Sequence, residues 1–290
     1  MQRLTLIFLT TVLVALFQPA HAQSVQLPVH KKASPDRMHY RHFGHDVAKD
    51  DDYVVVSQPS GYHIPFGSGI APGAGRVYVY QQSADTLALA QTLWASDSTN
   101  QDNFGVTVAV QYPYIIIGAN TSGLDANGGN FLQAAGAAYV FTHNTSTNQW
   151  TQTQKLVASD RHYLGTFGTE VYLRDSMLVI GAYNSQATDT AGTTHATGGA
   201  IYTFELTPSG TWSEVQKFSP PDVAAGDQFG FPITPTDDGG IMVGATYEDH
   251  DASGLNYVAQ AGSVYLLEPN GSGGWQQQQK IVANVRPSTE

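Results

Sequence analysis

Hydrophobic and polar positions along the chain form a pattern that repeats about every 62 residues. A Phe-Gly pair opens each repeat, and successive pairs stand 61, 63 and 62 residues apart. A run of three apolar residues follows, and the small residue that ends it lies 14 or 15 positions after the Phe. Self-similarity at this period predicts a repeat architecture. The positions that define the repeat are Phe43, Gly44, Phe104, Gly105, Gly118, Phe167, Gly168, Gly181, Phe229, Gly230 and Gly244.

The second half of each repeat carries two further segments of β type. A Gly 32 or 33 residues after the Phe precedes an alternating apolar run, such as Val77 to Tyr80, and a Gln-rich segment follows, such as Trp150 to Leu156. Clusters of Gly, Asn, Asp and Pro separate the segments, and no stretch shows the 3.6-residue period of a long helix. Four short strands per repeat predict antiparallel sheets that bury their faces by packing radially, as propeller blades do.

The fourth repeat contains the strings Ala-Gly-Asp-Gln-Phe-Gly, Val-Gly-Ala and Ala-Gly-Ser-Val-Tyr, ending at Tyr265. With four copies in register over residues 43–283, the chain resembles the FG-GAP repeat of bacterial secreted proteins, which is similar to the blades of the integrin α-subunit propeller. The resemblance implies an extracellular β-propeller, often involved in adhesion or ligand binding, and no particular chemistry.

We therefore expect an all-β propeller of four blades with four antiparallel strands each. The repeats are placed at residues 43–96, 97–159, 160–220 and 221–286. The four blades form either a closed ring or part of a larger propeller, which self-association would complete.

The N-terminus has the layout of a secretory signal peptide. Arg3 precedes an apolar run from Leu4 to Phe17, and Ala20-His21-Ala22 supplies a small-x-small cleavage pattern. We expect residues 1–22 to be removed, residues 23–42 to form a leader, and the product to be secreted, at the cell surface or in the periplasm. No later apolar run is long enough to span a membrane.

Composition narrows the classes of partner and of chemistry. The formal net charge is −11, which argues against nucleic acid and anionic membranes as partners. The absence of Cys excludes disulfides, Cys-ligated metals and a Cys nucleophile. Many FG-GAP blades carry a calcium loop between their first two strands, but here those connections are short and lack alternating acids. We expect no cofactor, although calcium stays possible.

Long polar loops between the second and third strands are the predicted binding surface. Successive antiparallel strands alternate in direction, so these loops emerge on one face together with the connections between repeats. Long variable loops on a rigid scaffold are where binding residues usually lie. The candidate ligand-binding residues in these loops are Tyr62, His63, Asp125, Asn127, Asp189, His195, Glu248, Asp249 and Asp251.

Two functions follow from these features. The preferred one is a non-catalytic propeller for adhesion or ligand binding, with an extracellular protein or a glycan as partner. The alternative is a propeller hydrolase acting on polysaccharide or phosphoester. The chain has no Gly-x-Ser-x-Gly and no His-Glu-x-x-His motif, and its paired carboxylates are not distinguished from surface acids.

The signal-peptide layout predicts cleavage between Ala22 and Gln23, because this bond follows the small-x-small pattern. N-terminal sequencing of the exported protein is expected to begin at Gln23. A cytoplasmic product that retains Met1 would contradict the prediction.

Overall fold

The computed structural model of the protein describes residues 42–59, 74–84, 86–99, 101–254 and 256–283. These residues all belong to one compact unit, residues 33–290. The predicted signal peptide, nearly all of the predicted leader, and the candidate residues Tyr62 and His63 lie outside the described residues.

Each predicted repeat contains one four-stranded antiparallel sheet, as expected for a propeller blade. Blade 1 consists of β1 (Val47–Asp50), β2 (Tyr53–Gln58), β3 (Arg76–Ser83) and β4 (Thr86–Leu93), and blade 2 of β5 (Val108–Gln111), β6 (Tyr114–Ala119), β7 (Ala137–Asn144) and β8 (Gln149–Leu156). Blade 3 consists of β9 (Glu170–Arg174), β10 (Met177–Ala182), β13 (Ala200–Leu206) and β14 (Trp212–Phe218), with the hairpin of β11 (Ala187–Thr188) and β12 (Thr194–His195) in its long loop. Blade 4 consists of β15 (Phe229–Pro235), β16 (Ile241–Ala245), β17 (Ser263–Pro269) and β18 (Trp275–Ile281). The prediction of an all-β propeller is confirmed, and no helix that could span a membrane occurs among the described residues.

The second and third strands of each blade carry most of its core. In β6, the run from Ile115 to Ile117 is buried on both faces, because a blade lies against each side of blade 2. Ile115 pairs with Phe141 and Ile117 with Tyr139 in antiparallel register. β-branched and aromatic side chains suit this doubly packed surface, since they fit a pleated sheet with little loss of rotamer freedom.

The Phe of each later Phe-Gly pair is buried in the joint between two blades. The backbone N–H of Phe104 donates to the carbonyl of Ala74 in the preceding blade at 3.0 Å, and Phe167 donates to Ala135 at 3.1 Å. We expected each Phe to lie early on its first strand, and this was wrong for Phe104 and Phe167. They precede β5 and β9, because their backbone is engaged with the neighbouring blade; only Phe229 begins its strand.

The small residue at the end of the second strand is required by the same joint. An added Cβ at Gly118 would overlap the carbonyl oxygen of Gly168, and one at Gly181 would overlap that of Gly230. The Gly of one blade's second strand therefore lies directly against the Phe-Gly backbone of the next blade. Close backbone approach explains why glycine recurs at this position.

Blade 4 departs from the pattern through a bulge in β15. The pairing of β15 with β16 shifts between Phe229 and Ile233, so one strand accommodates extra backbone. This bulge explains why the spacing from Phe to the small residue is 15 in the fourth repeat and 14 in the others. It also leaves Phe231 44% exposed.

Three hydrophobic clusters join blades 1 and 2, 2 and 3, and 3 and 4. No such cluster among the described residues joins blade 1 to blade 4. Val47 of blade 1 is accordingly 56% exposed, whereas Val108, at the same place in blade 2, is 6% exposed. Ring closure therefore stays a prediction.

Replacing Phe167 with Ala is expected to lower the free energy of unfolding by about 3–5 kcal/mol, because it leaves a cavity between blades 2 and 3. Chemical denaturation measures the change. Tyr163→Ala is the control, since Tyr163 is 60% exposed, and it should change the stability little. Equal effects of the two changes would show that the Phe-Gly joint does not carry the core.

Candidate functional site

The structure gives Asp125 a role inside its own loop. Its Oδ1 accepts hydrogen bonds from the backbone N–H groups of Asn127 and Gly129 at 2.9 Å, and its Oδ2 accepts one from the side-chain amide of Asn130. These donors, Gly129 first, hold the pKa of Asp125 below its usual value. The acid therefore closes a turn in the β6–β7 loop.

Asp189 closes the β11–β12 hairpin in the same way. Its Oδ1 accepts from the N–H groups of Ala191 and Thr193, and its Oδ2 contacts Nε2 of His195 at 2.8 Å. The hydrogen bond with His195 is the largest cause of the lowered pKa of Asp189. The structure thus brings together two of the predicted site residues, Asp189 and His195, within one hairpin.

Glu248 lies under its loop rather than on it. Its side chain is fully buried; Oε2 accepts from the hydroxyl of Ser263 at 2.6 Å, and Oε1 lies 2.9 Å from Nζ of Lys280. Asp249 accepts from the N–H of Gln260, and Asp251 accepts from both the N–H and the hydroxyl of Ser253.

Among the described residues, no hydrogen bond joins the candidate acids of one loop to those of another. Each predicted acid fixes the shape of its own loop. Their part in ligand binding stays a prediction.

A recurring Lys-Asp-Tyr cluster ties each later blade to the connection that precedes it. A Lys on the fourth strand contacts an Asp at 2.6 or 2.7 Å, and a Tyr on the third strand donates its hydroxyl to the same Asp. Our reading of the sequence missed this cluster, although each Asp stands seven residues before a Phe-Gly pair. Its members are Asp97, Tyr139 and Lys155; Asp160, Tyr202 and Lys217; and Asp222, Tyr265 and Lys280.

A cavity of about 550 Å³ lies where the first strands begin and the second strands end. This is the face from which the long loops emerge. All four blades contribute, since Asp46, Thr107 and Glu170 follow their Phe-Gly pairs and Thr246 follows the small pair of β16. We call this cavity the axial pocket. Pockets that collect polar groups from several elements are the usual binding sites of a fold.

The polar lining of the axial pocket is acidic and amidic. Asp46 and Glu170 supply carboxylates, and Asn120 and Gln228 supply amides, while no Lys or Arg lines the cavity. Its aromatic lining consists of Tyr183, Phe231 and Tyr247.

The two carboxylates of the pocket differ in their partners. Asp46 is engaged with the backbone, because Oδ2 accepts from the N–H of Val108 at 2.7 Å and Oδ1 accepts from that of Val47 at 2.8 Å. Glu170 has no hydrogen bond and no ion pair with any described residue. Burial, and then the negative charge of Asp46, raise the pKa of Glu170 to about 7.

A second carboxyl with a raised pKa, Asp227, does not line the pocket. It is buried, its Oδ2 accepts from the N–H of Ala224 at 2.7 Å, and its Oδ1 has no hydrogen-bond partner. Burial and then the charges of Glu248 and Asp249 raise its pKa to about 6. Because Asp227 directly precedes Gln228, its environment belongs to the wall behind the pocket.

Reasoning from the sequence also missed Glu170. It stands three residues after Phe167, where the other repeats carry Asp46, Thr107 and Pro232. The available signal was that difference: a position that varies within a matched repeat, on the face where the loops emerge.

The sheets, their radial packing and the repeated joints define a β-propeller. Residues 88–141, 150–204 and 212–267 match the family model of the FG-GAP repeat. These segments make up more than half of the chain, and the chain therefore belongs to the FG-GAP repeat family. No curated protein matches it. A similar solved structure is that of a protein from Lactobacillus plantarum, which is 11% identical with a TM-score of 0.48; the match covers 85% of this chain and 57% of that one.

Glu170→Gln is expected to stabilise the protein at alkaline pH. Because the folded-state pKa of Glu170 is raised, ionisation of its carboxyl disfavours the native state increasingly from pH 4.5 up to about 7. The stability advantage of the variant over the wild type should grow by roughly 2 kcal/mol between pH 5 and pH 8.

Urea denaturation at the two pH values measures this difference. Glu268→Gln is the control, since Glu268 lies in β17 and does not line the pocket. A constant difference between Glu170→Gln and the wild type at both pH values would contradict the raised pKa.

Proposed function

We propose that the protein is an exported, non-catalytic binding module that holds its ligand in the axial pocket. The observation that carries the proposal is the convergence of side chains from all four blades on one cavity at the loop face. A ligand seated there contacts residues that belong to separate repeats. Such a site needs no single motif, which agrees with the absence of one in the sequence.

The loops around the pocket support a preformed site. Asp125, Asp189 and Asp251 each accept at least two hydrogen bonds within their own loop. Loops that are held in one conformation lose little entropy when a ligand binds, and preorganisation of this kind raises affinity. The predicted acids would then act by shaping the rim of the site.

The sequence supports an extracellular location and an extracellular partner. The start of the chain resembles a signal peptide, the chain contains no Cys, and its net charge is −11. We propose a protein or a glycan as the natural partner, with adhesion as the biological role.

One observation favours a hydrolase as the second candidate. Glu170 has a pKa of about 7 and shares the pocket with Asp46. A carboxylic acid that stays protonated near neutral pH is what a glycosidase needs as its general acid, opposite a second carboxylate. Against this, the oxygens of Asp46 already accept hydrogen bonds from two backbone N–H groups, so that this carboxylate serves the joint between blades 1 and 2.

The test exposes the protein to an array of glycans and purified extracellular proteins, and measures both binding and soluble cleavage products. We expect saturable binding without products, weakened at least about tenfold by Tyr247→Ala, since Tyr and similar anchors dominate binding energy. Tyr257→Ala is the control, because Tyr257 lies in the same loop, is 62% exposed and does not line the pocket.

Two outcomes would overturn the proposal. Cleavage products that disappear in Glu170→Gln would establish the hydrolase. Binding that survives both Tyr247→Ala and Glu170→Gln would place the ligand away from the axial pocket.

A further inference from the structure

The charges around the axial pocket are unbalanced. Asp46 and Glu170 are its carboxylates, and His45, Tyr183 and Tyr247 are its other titratable residues. With no Lys or Arg in the lining, an anionic ligand finds no counter-charge. A phosphate, a carboxylate or a sulfate would be repelled by this lining.

Glu170 needs a positive partner. A charge removed from water is unfavourable unless it is paired, and Glu170 has no hydrogen bond or ion pair with any described residue. The charge that acts on it is the like charge of Asp46. A cation placed in the pocket would relieve both effects.

The aromatic lining favours an organic cation. Phe231 and Tyr247 are 44% and 41% exposed, and Tyr183 lines the same cavity. The face of an aromatic ring attracts an ammonium group, and the attraction is strongest where water is partly excluded. The bulge in β15 places Phe231 at the pocket, so this feature belongs to blade 4 alone.

A metal ion fits the pocket poorly. No group of three or more His, Cys, Asp or Glu side chains among the described residues is arranged to hold one. A calcium ion takes six to eight oxygen ligands, whereas an ammonium group is satisfied by one or two carboxylates and an aromatic surface.

We propose that the axial pocket binds organic ammonium groups, with Glu170 as the counter-ion and Tyr183, Phe231 and Tyr247 as the aromatic wall. This inference rests on the proposed function, since it assumes that the axial pocket is the binding site. The ligand class is a molecule that presents a quaternary or primary ammonium group.

The proposal makes binding dependent on pH. An ammonium ligand prefers ionised Glu170, and protonation of that carboxyl below pH 7 competes with binding. The affinity for a permanently charged ligand should therefore fall about tenfold between pH 8 and pH 6. Asp46, His45, Tyr183 and Tyr247 also face the pocket, so variants must separate their titration from that of Glu170.

Three probes of nearly equal shape test the charge preference. Choline carries a permanent positive charge, 3,3-dimethylbutan-1-ol is its neutral isostere, and 3,3-dimethylbutanoate is an anion of similar size. Isothermal titration of the full-length exported protein at pH 8 should give choline at least about a tenfold advantage over the alcohol. The anion should not bind measurably.

Variants assign the effect to the pocket. Glu170→Gln should weaken choline binding at least about tenfold at pH 8 and remove most of the pH dependence. His45→Gln should keep the tenfold change between pH 8 and pH 6, and Glu268→Gln should behave as the wild type. A pH dependence that persists in Glu170→Gln and vanishes in His45→Gln would overturn the role given to Glu170.

The remaining outcomes separate this inference from the proposed function. Equal affinity for choline and the alcohol, or tighter binding of the anion, would refute the ammonium site. If no probe binds, while a partner from the array still depends on Tyr247, the ammonium inference is wrong and the binding function stands. Choline binding that is unchanged in both Glu170→Gln and Tyr247→Ala would place the probe elsewhere and overturn the inference.

Discussion

The structure depends on a backbone contact between neighbouring blades. The carbonyl of the Phe-Gly glycine in one blade lies against the glycine that ends the second strand of the preceding blade, as between Gly168 and Gly118. Any side chain at Gly118 would separate the two backbones, and the buried Phe167 beside them would lose its packing. Two residues far apart in sequence are therefore linked, because each permits the approach that the other needs. The 62-residue period is the trace of this contact.

The same joint determines where a ligand can bind. Because each first strand is anchored to the preceding blade at its start, the residues just after the Phe-Gly pairs gather around one axis. Asp46 illustrates the overlap of the two roles, since its carboxylate accepts the N–H of Val108 in the next blade while it lines the pocket. Glu170, three residues after its Phe, has no such partner. The scaffold thus supplies one carboxylate that is used up by packing and one that is available.

Repetition made the fold predictable and concealed the site. Four copies in register identify the blades, the buried Phe and the need for Gly at 118 and 181, because these features recur. The loop acids were selected for their charge and position, yet Asp125 and Asp189 accept hydrogen bonds from their own loops. Sequence shows that a carboxylate is present, but the number of N–H groups already directed at it depends on loop geometry. That number decides whether an acid shapes a loop or faces a ligand.

The position three residues after each Phe shows how a repeat protein can separate stability from function. The joint constrains the Phe and the Gly, and it leaves the next positions free to differ, so they carry Asp46, Thr107, Glu170 and Pro232. Because these unlike side chains converge on one cavity, a change at any of them alters the chemistry of the pocket without touching a joint glycine. Asp46 is the exception, since it also bonds the next blade. Differences among otherwise matched repeats are thus the informative signal in this chain, and they direct attention to Glu170, where a carboxylate lies unpaired against an aromatic wall.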